Sequence, residues 1–130
     1  MANIVKVALI GAGRTGTPLL KELMKYRYVK IEGVADRKAG AAGVKLASKK
    51  GIYTTSDPME LLRKRKNIDI LIDVTGDAKL KKSIKAFLAK NKNSKTIIMH
   101  DLIARLFISV STRKSACIPS FHPKDVGVGK

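Results

Sequence analysis

The chain has 130 residues, enough for one domain with a real core and too few for a cofactor domain plus a full substrate domain. Hydrophobic residues make up 45% and charged residues 28%, which excludes a disordered chain, and no apolar run reaches the roughly 18 to 20 residues needed to cross a bilayer. A net charge of +17 invites a phosphate-bearing partner, while the single cysteine, Cys117, excludes an internal disulfide.

The first apolar run, residues 5–10, reads as a core strand rather than a signal peptide or anchor because Lys6 and Gly11 interrupt it. A cytoplasmic protein is the expectation. The strand breaks into Gly11-Ala12-Gly13-Arg14-Thr15-Gly16, and a helix is predicted over 15–27 with Leu19, Leu20, Leu23 and Met24 on one face. In this G-x-G-x-x-G, Gly11 turns the chain off the strand, Gly13 keeps a side chain out of the path of a pyrophosphate, and Gly16 lets the helix approach the sheet. The first free N–H groups of the helix, beginning around Thr15, then face the anion.

Residues 29–35 form the second predicted strand and end at Asp36, twenty residues beyond Gly16. A small-residue helix over 41–50 stops at Gly51, and 52–54 is a short strand. Ser56 or Asp57 caps the next helix, with Pro58 and Glu60 in its first turn and Leu61 and Leu62 inward. Residues 68–74 are a strong central strand running into Thr75-Gly76-Asp77. A helix over 79–90 follows, with Leu80, Ile84, Phe87 and Leu88 inward, then a strand over 96–99 and a helix over 103–110.

This alternation predicts an α/β fold, a Rossmann-like doubly wound parallel sheet in a single domain spanning 1–110. Residues 111–130 read as a basic, irregular or flexible tail, with Pro119, Pro123 and two late glycines.

Ligands of open α/β sheets bind beyond the carboxyl ends of the strands. The glycine loop, Asp36-Arg37, Thr75-Gly76 and His100-Asp101 all fall there and are expected along one edge. Asp36 is placed to accept hydrogen bonds from the adenosine ribose, which favours NAD; Arg37 and Lys38 leave NADP possible. Arg14 either reaches the diphosphate or points to solvent. Thr75 and Gly76 either pass close to the nicotinamide-side ribose or simply make a strand-to-helix turn, with Asp77 capping the next helix. His100 and Asp101 are the one acid-base pair near that edge, though a histidine at a strand end is commonly structural. Cys117 and His122 match no metal-ligand spacing, and no metal site is expected.

The basic runs Arg63-Lys64-Arg65-Lys66, 79–85 and 90–95 fall on helix ends and outer faces, where solvated lysines are usual. Nucleic acid is a possible partner but not the favoured one, because six aromatic residues supply no stacking platform.

With these positions in hand, the chain resembles the N-terminal NAD(P)-binding domain of the glucose-fructose oxidoreductase and inositol dehydrogenase superfamily, and of aspartate and homoserine dehydrogenases. The resemblance rests on residues 7–16, on Gly33-Val34-Ala35-Asp36-Arg37 and on residues 68–76, and covers about residues 3–110. It implies cofactor contacts from Gly11, Gly13, Gly16, Asp36 and the Thr75-Gly76 loop; Arg14, Thr15 and Arg37, from the reading of the residues themselves, complete the expected dinucleotide site. Where the sugar dehydrogenases carry Glu-Lys-Pro after the fifth strand, with a catalytic lysine, this chain reads Met99-His100-Asp101. Their C-terminal substrate domain also has no room here.

The expectation is therefore an NAD(P)-binding protein that is either a stand-alone cofactor-binding or redox-sensing module or the nucleotide half of an oxidoreductase completed by another chain. Whether any reaction is catalysed stays open. One alternative is a minimal homodimeric NAD-dependent dehydrogenase using His100 and Asp101. Another is a polyanion-binding protein on the same scaffold, and coenzyme A is an alternative ligand. The apolar run Leu102-Ile103-Ala104-Arg105-Leu106-Phe107-Ile108 predicts homodimerisation through the last helix, unless that helix packs on the domain's own sheet.

Overall fold

The computed structural model describes residues 3–120, and in them five strands alternate with five helices. The elements are β1 (Val5–Ile10), α1 (Gly16–Leu23), β2 (Val29–Ala35), α2 (Ala42–Lys49), β3 (Thr54–Thr55), α3 (Pro58–Lys64), β4 (Ile70–Asp73), α4 (Ala78–Lys90), β5 (Ile97–His100) and α5 (Asp101–Ser111). All neighbouring strands are parallel and the sheet order is β3-β2-β1-β4-β5. The predicted doubly wound α/β sheet is the observed one.

Its strands are continuous apolar runs because both faces of the sheet are covered. On one face Val7, Leu9, Val34 and Ile72 pack with Leu19, Leu20 and Leu23 of α1, Val44 and Ala47 of α2, and Ala104 and Ile108 of α5. On the other, Ala8, Ile10, Ala35 and Leu71 meet Leu61 and Leu62 of α3 and Leu80, Ile84 and Leu88 of α4. Each fully buried leucine of this kind contributes about 2 kcal/mol. The crossover from β1 therefore leaves by one face and the crossover from β4 by the other, which opens a crevice between their carboxyl ends.

Register brings the strand ends level. Ile10 pairs with Ala35 on one side and Asp73 on the other, and Asp73 pairs with His100. Glu32 is the extra residue where the β1–β2 register shifts, and at Gly33 beside it a Cβ would lie 2.4 Å from Leu61 Cδ1. The bare glycine lets α3 sit down on β2.

Element ends depart from the sequence reading where apolar spacing is uninformative. The first helix stops at Leu23, not near residue 27, because Lys25 and Tyr26 bond back three residues to Glu22 and Leu23, tightening the chain into turns. The third strand is Thr54–Thr55 and the fourth Ile70–Asp73, both narrower or shifted relative to the apolar runs. The last helix starts at Asp101, two residues earlier than the predicted 103 and directly after β5.

Residues 112–120 are irregular, yet they are tied to α5. Ile118 N–H donates to Ser109 Oγ at 3.0 Å, Arg105 Nη1 donates to the Ile118 carbonyl at 3.0 Å, and Ser120 Oγ lies 3.3 Å from Asp101 Oδ2. His122, Pro123 and the late glycines lie outside the described residues. Among the described residues, no helix is long and apolar enough to cross a membrane.

Candidate functional site

The glycine loop leaves β1 with Gly11 at φ +99°, a left-handed conformation that a side chain would strain, and Gly11 N–H bonds the Ala35 carbonyl at 2.8 Å. A Cβ on Gly16 would lie 1.8 Å from the Gly11 carbonyl oxygen. Gly16 is thus required by contact between the first turn of α1 and the loop. At Gly13 a Cβ would meet nothing within 4 Å, so the residue opens on free space. Thr15 is the N-cap of α1 but makes no side-chain cap bond, and no acidic residue stands in the first turn. No carboxylate of the helix's own first turn offsets the positive end of its dipole, which suits an incoming anion.

Asp36 faces this loop. Its Oδ2 accepts the Ala12 N–H and its Oδ1 the Lys38 N–H, both at 2.8 Å. These two bonds fix the carboxylate and leave each oxygen a second acceptor site for a diol. Arg37 turns the other way. Its Nη2 lies 3.0 Å from Asp77 Oδ2, an ion pair across the mouth of the crevice from β2 to the start of α4.

Asp77 also caps α4, accepting the N–H groups of Lys79 at 2.9 Å and Leu80 at 3.1 Å. The Leu80 amide first, then the Lys79 amide and the Arg37 guanidinium, hold its carboxyl below the ordinary carboxylate value. Behind it, Thr75 Oγ1 donates to buried Asp73 Oδ1 at 2.7 Å and accepts the Asp77 N–H at 3.2 Å. Gly76, at φ +70°, makes the turn between them.

These groups enclose a cavity of about 670 Å³ at the β1–β4 crevice. Of the residues expected at a cofactor, Gly11, Gly13, Arg14, Thr15, Gly16, Asp36, Arg37 and Thr75 line it. Gly76 is not on the wall; its part is the backbone turn. Ala41, Ala42 and Pro58 also line the cavity. They were not legible as site residues, because they are small apolar groups from α2 and α3 with no chemical signature. The role of Asp77 as the partner of Arg37 was equally hidden, since the two are forty residues apart and only the capping role leaves a local trace.

His100 and Asp101 sit level with this edge but outside the cavity wall. Asp101 is buried and its Oδ2 accepts Arg105 Nε at 2.7 Å, an ion pair within α5. That bond and the Ser120 hydroxyl engage Oδ2, while among the described residues the buried Oδ1 has no hydrogen-bond partner. Among the described residues, neither ring nitrogen of His100 has a hydrogen-bond partner, and burial followed by the nearby Lys81 ammonium pushes its pKa below the ordinary value, against the pull of Asp73. That shift favours the neutral imidazole. Among the described residues, no three His, Cys, Asp or Glu side chains converge, and Cys117 is exposed.

The arrangement fits a dinucleotide on three counts. The first turn of the helix holds no acidic residue, the wall at Gly13 is bare, and a fixed carboxylate stands at the end of β2.

Comparison with known proteins gives the same answer at the level of family. The profile of the N-terminal part of dihydrodipicolinate reductase matches residues 5–98. An acetaldehyde dehydrogenase of Carboxydothermus hydrogenoformans is 32% identical over 75 residues, 58% of this chain and 25% of that enzyme. The chain thus spans about a quarter of the length of such relatives. Among solved structures, GenD2 from gentamicin A biosynthesis, in complex with NAD, superposes with a TM-score of 0.58 at 19% identity, covering 88% of this chain and 33% of that one. A myo-inositol dehydrogenase from Corynebacterium glutamicum gives 0.55 at 17% identity, covering 82% and 32%. At such identities the likeness is one of fold.

Proposed function

The chain belongs to the dihydrodipicolinate reductase N-terminal family and is an NAD(P)-binding Rossmann domain of the oxidoreductase type, and from this we propose that it is the nucleotide half of an oxidoreductase. The observation that carries this reading is the bare wall at Gly13, facing the uncapped start of α1. The pyrophosphate lies over Gly13, Thr15 and Gly16, where backbone N–H groups and the helix dipole meet its charge, and Arg14 adds a charged donor at the rim. Asp36 takes the adenosine ribose hydroxyls and repels a 2′-phosphate, so NAD is preferred to NADP. With Arg37 engaged by Asp77, the nearest guanidinium is already partly neutralised, which supports the same preference. Thr75, held by Asp73, borders the nicotinamide-side ribose.

The bound nicotinamide would supply hydride transfer. What these residues supply is the grip on the nucleotide: none of the lining side chains is an acid or base free of a structural bond on the β4–β5 side. A substrate side needs groups beyond those that line this cavity, and α5 offers a surface for a partner. Leu102, Ile103, Leu106, Phe107 and Val110 are all exposed on one helix whose other face, Ala104 and Ile108, is buried on α1 and the sheet. A second copy of this chain packed on that face gives the homodimer.

Thermal-shift titration with NAD, NADH, NADP and coenzyme A tests the reading. NAD or NADH should raise the melting temperature most. No shift with any dinucleotide, or a larger shift with coenzyme A, would overturn it.

A further inference from the structure

At the opposite end of the sheet, where the strands begin, the C-terminal ends of α3 and α4 border a second cavity of about 560 Å³. It lies roughly 15 Å from the glycine loop, the length of β1. We propose that this cavity is a second ligand site that takes a nucleoside phosphate, free or as part of a nucleic-acid strand.

The floor is apolar, made by Leu62, Ile68, Phe87 and Leu88. Around it stand Lys6, Arg65, Lys66 and Lys95, brought together from β1, the end of α3 and the loop before β5. Two basic runs that the sequence separates by more than twenty residues thus share one rim. A flat apolar group above Phe87 and a phosphate at the rim satisfy both parts of such a cavity, whereas inorganic phosphate leaves the floor uncovered.

Arg65 is the C-cap of α3 and Lys66 follows it, so both add to the cations of the last turn. The basic residues within the last turns themselves are Arg63 and Lys64 on α3 and Lys90 on α4, and none of them lines the cavity. Arg63 pairs with Asp57 at 3.2 Å and Lys64 with Glu60 at 2.8 Å. Arg65 lies over the Tyr53 ring at 4.8 Å. Among the described residues, Lys66, Lys95 and the Lys6 side chain have no carboxylate within ion-pair distance. The one carboxylate on the wall, Asp69, is bonded through Oδ2 to the Lys6 backbone N–H at 2.8 Å.

The wall is also preformed. Asn91 Nδ2 donates to the Phe87 carbonyl at 2.8 Å and Asn93 Nδ2 to Thr96 Oγ1 at 2.8 Å, while Thr96 Oγ1 donates to the Ile68 carbonyl at 2.7 Å. These bonds lock the loop from α4 to β5 around the cavity before any ligand arrives. They cost the site no rim cation.

The test is residue-resolved amide NMR on the full chain titrated with AMP, with inorganic phosphate and with a ten-nucleotide single-stranded oligoadenylate. AMP should shift Asn67, Asn93 and Thr96 and bind more tightly than inorganic phosphate. Lys66→Glu/Lys95→Glu, two exposed changes far from the glycine loop, should weaken AMP at least tenfold there while leaving NAD binding unchanged. Oligoadenylate at least tenfold tighter than AMP at the same amides assigns the nucleotide to a strand, and equal or weaker binding assigns it to a free nucleotide. AMP shifts confined to residues 11–16, no shifts at all, or unchanged affinity in the double variant would overturn the proposal. Because the readout is local, failure here is distinct from failure at the dinucleotide edge.

Discussion

Gly13 and Gly16 sit three residues apart and answer to different forces. A Cβ at Gly13 enters open space, so Gly13→Val should leave stability nearly unchanged and abolish NAD binding, the side chain occupying the pyrophosphate's position. At Gly16 the added carbon collides with the Gly11 backbone, so Gly16→Ala should cost about 3 kcal/mol by forcing α1 off the loop. Denaturant unfolding with NAD calorimetry on both variants separates the two; a destabilised Gly13→Val or a fully stable Gly16→Ala contradicts this geometry. Asp36→Ala removes the carboxylate that faces the ribose and should narrow the NAD-over-NADP preference roughly tenfold, the worth of one charged hydrogen bond. An unchanged ratio of dissociation constants would remove Asp36 from the ribose site. The backbone roles of Gly11 and Gly16 were legible because each is a demand on the local chain. Arg37 was not, since whether it meets a phosphate or a carboxylate depends on Asp77, which only folding brings near.

Among the elements, α4 shows how a cap joins stability to the site. Asp77 holds two helix N–H groups and Arg37 at once, so Asp77→Ala should cost about 1 kcal/mol. Its carboxyl is depressed in the folded chain, so its contribution is complete above the ordinary value of 3.8 and is lost as the pH falls below it. Asp77→Asn keeps an acceptor and cannot titrate, and its acid unfolding should lose that component; identical acid limbs for the two proteins would show that the charge does not matter. The residues that stop and start elements were only partly readable. Asp57 and Pro58 announce α3 because cap and first-turn chemistry is local. The stop of α1 at Leu23 has no such marker, and α5 begins at buried Asp101, a residue that sequence alone presents as a candidate acid.

For the molecule as a whole, surface chemistry divides into three regions: the dinucleotide edge, the basic pole and the apolar flank of α5. Dimerisation through α5 predicts a dimer in sedimentation at high micromolar concentration and a monomer for Leu106→Glu, an exposed position whose change leaves the core intact. A wild-type monomer at that concentration would refute the dimer. The basic residues are spread along the chain as the sequence indicates, yet Lys6, Arg65, Lys66 and Lys95 meet at one cavity only because the fold brings β1, the end of α3 and the loop before β5 together there.

By itself the sequence determined the order of strands and helices, the parallel sheet and the glycine loop, because apolar periodicity and glycine placement record demands that each segment meets locally. Tertiary structure alone decided which charges are spent and which remain available. Asp101 is taken by Arg105, Arg37 by Asp77, and Lys66 and Lys95 are left facing a cavity. Pairing is a matter of distance in space, and a fold sets those distances between residues that the chain keeps far apart.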